Sequence, residues 1–167
     1  MAEPRLEVVD RGRRIAFSFA DVLDYHGPGS PGGAAHAFKV LQRGLPLLDP
    51  DGPCERREIV VETAFGGPGA RDAFELVTRA VSDDRYRVDP ALARPERGRA
   101  LERFVFRIGL RERQVTLLLR PGFVTDEFID LARTEQRSAV QEQRLDALKL
   151  ALAARVMARP AVAVYAI

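Results

Sequence analysis

A histidine stands at the mouth of a loop rich in glycine and proline, Tyr25-His26-Gly27-Pro28-Gly29-Ser30-Pro31-Gly32-Gly33, where six of nine residues are Gly or Pro. Such residues turn the backbone tightly and leave it open to close approach. Ser30 followed by Pro31 has the form of an N-cap and a first helical residue, so a helix is expected to start there. A helix N-terminus with free N–H groups attracts anions and polarised oxygens. An imidazole beside it can move a proton or bind a divalent transition metal such as zinc. His26 is therefore the candidate for both general base and metal ligand.

A second loop, Gly66-Gly67-Pro68-Gly69, follows a strand that ends in Glu62-Thr63 and opens a helix with Arg71 and Asp72 in its first turn. If the two helix starts face one another, His26, Gly29, Ser30, Glu62, Thr63, Gly69, Arg71 and Asp72 form one ligand-binding set. Each has a plainer explanation too. Ser30 caps a helix, Asp72 answers the helix dipole, and the second loop is a tight strand-to-helix turn. Gly27, Gly29 and Gly32 match G-x-G-x-x-G in form, but a helical segment precedes them where a dinucleotide fingerprint needs a strand. The second loop lacks the Gly-Lys-Ser/Thr ending of a P-loop. A nucleophilic role for Ser30 needs a base and an orienting group, and its surroundings miss G-x-S-x-G at the first glycine. The other histidine, His36, falls in a mixed helical stretch and reads as an ordinary surface or core residue.

The elements that must position these residues follow from periodicity. Residues 13–19 alternate, with Ile15, Phe17 and Phe19 on one side, which is a half-buried strand. A short helix from Phe19 to Tyr25 carries His26 at its end. A long helix is expected over about Pro31 to Leu48, with Ala34, Ala35, Phe38, Leu41 and Leu45 as its apolar stripe. Arg57 to Ala64 is a strand rich in β-branched residues, and a helix runs from about Ala70 to Val81. Tyr86 and Val88 suggest a short strand. Leu101–Leu110 and Gln114–Leu119 form a hairpin around Arg111-Glu112-Arg113. Thr125 caps a helix with Asp126 and Glu127 in its first turn. A last helix spans about Ser138 to Ala158, with a stripe of Val140, Leu145, Leu148, Leu152 and Val156. The apolar tail 161–167 must dock either as an edge strand or on another copy of the chain. Helices and strands are partly segregated, so the expected fold is α+β, with helices packed on a mixed, mostly antiparallel sheet in a single domain.

The chain has 167 residues, 46% of them apolar, which suits one domain with a real core. Basic and acidic residues nearly cancel, at 26 and 24. Among the basic residues only Lys39 and Lys149 are lysines. Arg11, Arg13 and Arg14 form one cluster, and Arg94, Arg97, Arg99 and Arg103 another. Acids lie nearby and no aromatics interleave, so no nucleic-acid partner is expected and a solvated face is the simpler reading. Cys54 is the single cysteine, which excludes an internal disulfide and a cysteine-built zinc site. It sits in a polar turn and reads as incidental. No signal-like core and no apolar run of about 18 residues is present, so a cytoplasmic protein without a membrane partner is expected.

Together these residues resemble the E-subunit family of molybdenum and tungsten formylmethanofuran dehydrogenases, in its stand-alone form. The family opens with a short helix and F-H-G-H-x-C-P-G, beside Tyr25-His26-Gly27-Pro28-Gly29-Ser30-Pro31-Gly32 here. Its E-T strand end and D-A-I helix are similar to Glu62-Thr63 and Asp72-Ala73-Phe74. Its F-x-F strand is similar to Phe104-Val105-Phe106. The resemblance covers roughly residues 15–135, so residues 1–135 are expected to form the family's α+β domain, with 136–167 as a C-terminal helix and tail packed on it. Pro28 stands where the family has a second histidine and Ser30 where it has a cysteine. The cysteine after E-T is missing, as is the zinc ribbon of some members. Proline cannot ligate through its side chain and serine is a poor soft ligand, so the family's metal motif is degenerate here.

The resemblance implies a homodimer with an accessory role in one-carbon or molybdenum-enzyme metabolism. The residues themselves favour a small anionic ligand at the His26 loop, with Arg71 supplying charge. Two other expectations compete: a small enzyme using His26 as general base or metal ligand, and a structural homodimer without a small-molecule site.

Overall fold

The computed structural model describes residues 2–167. The chain opens with β1 (Arg5–Asp10) and β2 (Arg13–Ser18), followed by α1 (Phe19–His26) and α2 (Pro31–Leu48). Next come β3 (Cys54–Glu55), β4 (Ile59–Thr63), α3 (Pro68–Thr78) and β5 (Tyr86–Val88). A hairpin of β6 (Val105–Leu110) and β7 (Arg113–Leu119) leads to α4 (Asp126–Arg133) and α5 (Ala139–Met157). The four-residue α6 (Ala161–Val164) and β8 (Tyr165–Ala166) end the chain.

The fold is α+β, as its segregated helices and strands predict, but the strands form two sheets. One has the order β2-β1-β3 and the other β5-β4-β6-β7-β8. Both are mixed: β3 runs parallel to β1 and β5 parallel to β4, while the remaining pairs are antiparallel. The strand β1 has no counterpart among the expected elements. Leu6 and Val8 alternate with exposed residues along it, and Arg11-Gly12, both at positive φ, make the two-residue turn into β2. Cys54 is not in a polar turn. It is buried in β3, where it pairs with Val8 across a parallel ladder. The tail takes the edge-strand option, with β8 extending the large sheet beyond β7 and Tyr165 fully buried.

Helix α2 is the central beam. Thirteen of its 18 residues are buried. It touches α3, α5, α6 and both hairpin strands, and so faces helices on one side and the large sheet on the other. Two glycines permit its crossing with α3. A Cβ on Gly69 would collide with the Ser30 carbonyl oxygen and lie 2.9 Å from the Ala34 nitrogen. A Cβ on Gly33 would lie 3.0 Å from the Ala70 nitrogen. The first turns of α2 and α3 therefore meet backbone to backbone, which places two helix N-termini side by side. The stripe expected on α5 is real only from Leu145 onward: Leu145, Leu152 and Val156 are buried, while Val140 is 74% exposed.

Candidate functional site

His26 ends α1, and Gly27, at φ 86°, caps it by donating its N–H to Leu23. The sharp exit returns the chain over the imidazole. Nε2 then accepts the Ser30 backbone N–H at 3.0 Å, and Nδ1 lies 2.8 Å from Asp72 Oδ2. A backbone N–H only donates, so Nε2 is the acceptor and the ring hydrogen sits on Nδ1, facing the carboxylate. The side chain is 7% exposed. His26 thus ties the end of α1, the start of α2 and the first turn of α3 together.

The structure brings His26, Ser30 and Asp72 together, as facing helix starts require, and it separates others. Gly69 lies beneath them at the helix crossing. Gly29 offers its carbonyl to Lys149 Nζ at 3.1 Å. Thr63 is buried and shapes the second loop: its hydroxyl donates to the Val105 carbonyl at 2.7 Å and accepts the Phe65 N–H at 2.9 Å. Glu62 points to the opposite face of the sheet, paired with Arg107 at 2.8 Å and Arg87 at 2.7 Å. Strand alternation explains this, because neighbours in β4 face opposite sides. Arg71 is largely exposed and its nearest carboxylate is Asp72, at 3.8 Å. Of the expected ligand-binding set, Ser30 alone lines the cavity beside the loops; His26, Gly29, Glu62, Thr63, Gly69, Arg71 and Asp72 do not.

That cavity is a cleft of about 400 Å³. One wall is Ser30, Gly32 and Gly33 from the start of α2. The next is Phe65, Gly66, Gly67 and Pro68 from the second loop. Arg99, Arg103 and Phe104 come from the segment before β6, Phe128, Ile129 and Arg133 from α4, and Lys149 from α5. The first backbone N–H groups of a helix have no partner within it, and two such helix starts border this space. Ser30 holds the N-cap position, yet its hydroxyl makes no capping bond.

Four cationic side chains line the cleft. Arg99 is paired with Asp126 and Asp130, and Arg133 with Glu102. Among the described residues Arg103 and Lys149 have no carboxylate partner. The apolar share comes from Phe65, stacked on Phe104 at 4.7 Å, and from Phe128 and Ile129. Sequence reasoning misses this whole second half. Arg99 and Arg103 stand out as a cluster, but nothing local shows that it folds against two glycine loops.

His36, ordinary by its sequence setting, is fully buried one helical turn beyond Gly32 and Gly33. Its Nδ1 lies 2.8 Å from the Tyr165 hydroxyl, and among the described residues its Nε2 is buried without a partner. Burial pushes its pKa down to about 3. Cys54 is likewise an interior group: its thiol lies 3.5 Å from the Leu45 carbonyl, and burial raises its pKa to about 11.

The donor set does not fit zinc or another transition metal. Both His26 nitrogens are engaged, and among the described residues no group of three or more His, Cys, Asp or Glu side chains could hold an ion. Among the described residues no helix is long and apolar enough to cross a membrane. No protein-family model matches the chain, and no curated protein matches it.

Proposed function

We propose that this protein binds a small organic anion in the cleft between its two glycine loops. The observation that carries this reading is the convergence of Arg103 and Lys149, both without a carboxylate partner, on a cleft bordered by two helix N-termini. Fixed N–H dipoles and mobile cations act on the same charge there. The volume suits a small molecule, and the stacked Phe65 and Phe104 suit an apolar or planar body. His26 acts as a positioning residue: it holds the Ser30 N–H and the loop, and does not touch the ligand. The cations beside the cleft take the part expected of Arg71. The resemblance to the formylmethanofuran dehydrogenase family supplies a setting, an accessory role in a homodimer beside one-carbon or molybdenum enzymes, and nothing in the cleft depends on it.

The enzyme reading asks His26 Nε2 to take a proton. A general base needs that lone pair free, and here it accepts a backbone N–H. The tight Asp72–His26–Ser30 chain favours binding over catalysis.

Thermal unfolding in the presence of benzoate-type carboxylates and matched neutral alcohols tests the proposal. A carboxylate at about ten times its Kd should raise Tm by about 3 °C, and its alcohol should not. Arg103→Glu should remove the effect. Equal stabilisation by acid and alcohol, or a response unchanged in Arg103→Glu, would refute the reading.

A further inference from the structure

The aromatic wall of the cleft has a polar group directly behind it. The His36 ring lies 4.7 Å from Phe104 and 6.4 Å from Phe65, centroid to centroid, and both of these line the cleft. His36 is fully buried and its Nε2 has no partner. A polar atom left so in the interior is unusual enough to need a reason.

The tautomer follows from counting orphaned groups. If the Tyr165 hydroxyl donates to Nδ1, the hydroxyl is satisfied and only the Nε2–H is left over. If Nδ1–H donates instead, the hydroxyl hydrogen and the Nε2 lone pair are both left over, because Tyr165 makes no other hydrogen bond among the described residues. Each stranded group carries its own desolvation cost, so the first arrangement prevails. His36 therefore holds an N–H donor behind the aromatic wall. The low pKa of His36 keeps the imidazole neutral near pH 7, so the donor is a dipole and not a charge.

Phe65 is the removable part of that wall. It is half-buried, it is followed by Gly66 and Gly67, and its ring lies over Gly67 where a Cβ would meet it at 2.5 Å. Phe104, by contrast, is fixed in the core at 3% exposure. With Phe104 held in place, a path from the cleft to His36 requires Phe65 to rotate about its side chain and uncover the His36 ring beside it.

We infer that the cleft extends behind Phe65 into a subsite in which the His36 Nε2–H donates to the ligand. This rests on the anion-binding reading above and sharpens it. The ligand carries an acid group at one end, held by Arg103 and Lys149, an apolar or planar middle, and a hydrogen-bond acceptor such as a carbonyl oxygen at the other end.

Two probes of nearly equal shape separate the possibilities, 4-acetylbenzoate and 4-isopropylbenzoate. Only the first has an acceptor opposite the carboxylate. By calorimetry the wild-type protein should bind the acetyl compound about fivefold more tightly. In His36→Leu the order should invert, because the isopropyl group is the more apolar. His36→Gln, which keeps a donor, should restore part of the preference. A second readout needs no variant. The chain has two histidines, and the imidazole 15N signal of His36 should move on adding the acetyl probe and stay still with the isopropyl probe. Equal binding of both probes with an unmoved His36 signal would overturn the subsite and leave the anion site standing. No binding of either probe would overturn the anion site itself.

Discussion

The two histidines lie ten residues apart and have exchanged the roles their surroundings suggest. His26 sits in a glycine-rich loop, where a reactive imidazole is expected, yet both its nitrogens are bonded and it works as a tie between three helices. His36 sits within a helix, where an inert residue is expected, yet it keeps one nitrogen unpartnered behind a ligand-sized cleft. Local sequence around a histidine reports how the chain turns. What the ring can do depends on which donors and acceptors the tertiary fold brings to its two nitrogens.

The most disruptive way to probe this contrast is to part the helix starts that position both rings. Gly69→Ala places a methyl group against the Ser30 carbonyl, and backbone cannot yield as a side-chain tip can. It should cost about 3 kcal/mol in denaturant unfolding and abolish probe binding. Full stability and unchanged binding in Gly69→Ala would mean that the two helices do not cross in such close contact.

A smaller effect should come from the His26 tie alone. His26→Ala removes one bond to a carboxylate and one to a backbone N–H, and should cost about 2 kcal/mol. Asp72 is partly exposed, so the His26–Asp72 coupling in a double-mutant cycle should be about 1 kcal/mol. A coupling near zero would show that the 2.8 Å contact adds nothing to stability.

The pH dependence of stability sharpens the contrast at the other histidine. Burial holds the folded pKa of His36 at about 3, against an ordinary value of 6.5. Between these values the unfolded chain takes up the proton and the folded chain does not. Stability from this group is thus complete above about pH 6.5 and is lost as pH falls towards 3. His36→Leu lacks that loss, so its Tm relative to wild type should rise steadily as pH drops through this window. Parallel Tm curves for the two proteins would contradict the burial of a neutral ring.

Most of the frame is legible in the sequence because it rests on local rules. The start of α2 at Ser30-Pro31, its end at Leu48, the Thr125 cap and the turn of the β6–β7 hairpin lie where capping, periodicity and turn residues put them, while β6 begins at Val105 and not at Leu101 because residues 101–103 form a turn. The first strand escapes notice although Arg11-Gly12 marks its turn, since its alternation is short and begins among charged residues. The site is half legible. His26, Ser30 and Asp72 meet because two glycine loops announce two helix starts. Arg103, Phe104, Phe128 and Lys149 reach the same cleft through long-range packing of α4 and α5 on α2, which leaves no mark at any one position. The charge expected from Arg71 is misplaced for a simple reason. Position in a first helical turn fixes the residue's height along the helix but not the side it faces, and Arg71 turns outward.

At the centre of the proposed function, Arg103 and Lys149 hold an organic acid at the paired helix starts. The most direct test is calorimetric titration of 4-isopropylbenzoate and 4-isopropylbenzyl alcohol into the wild-type protein and an Arg103→Ala/Lys149→Ala variant. One carboxylate should bind per chain, more weakly as salt rises. The alcohol should not bind, and the double variant should bind no carboxylate. Carboxylate binding that persists unchanged in that variant, or an alcohol that binds as well as the acid, would contradict the anion site.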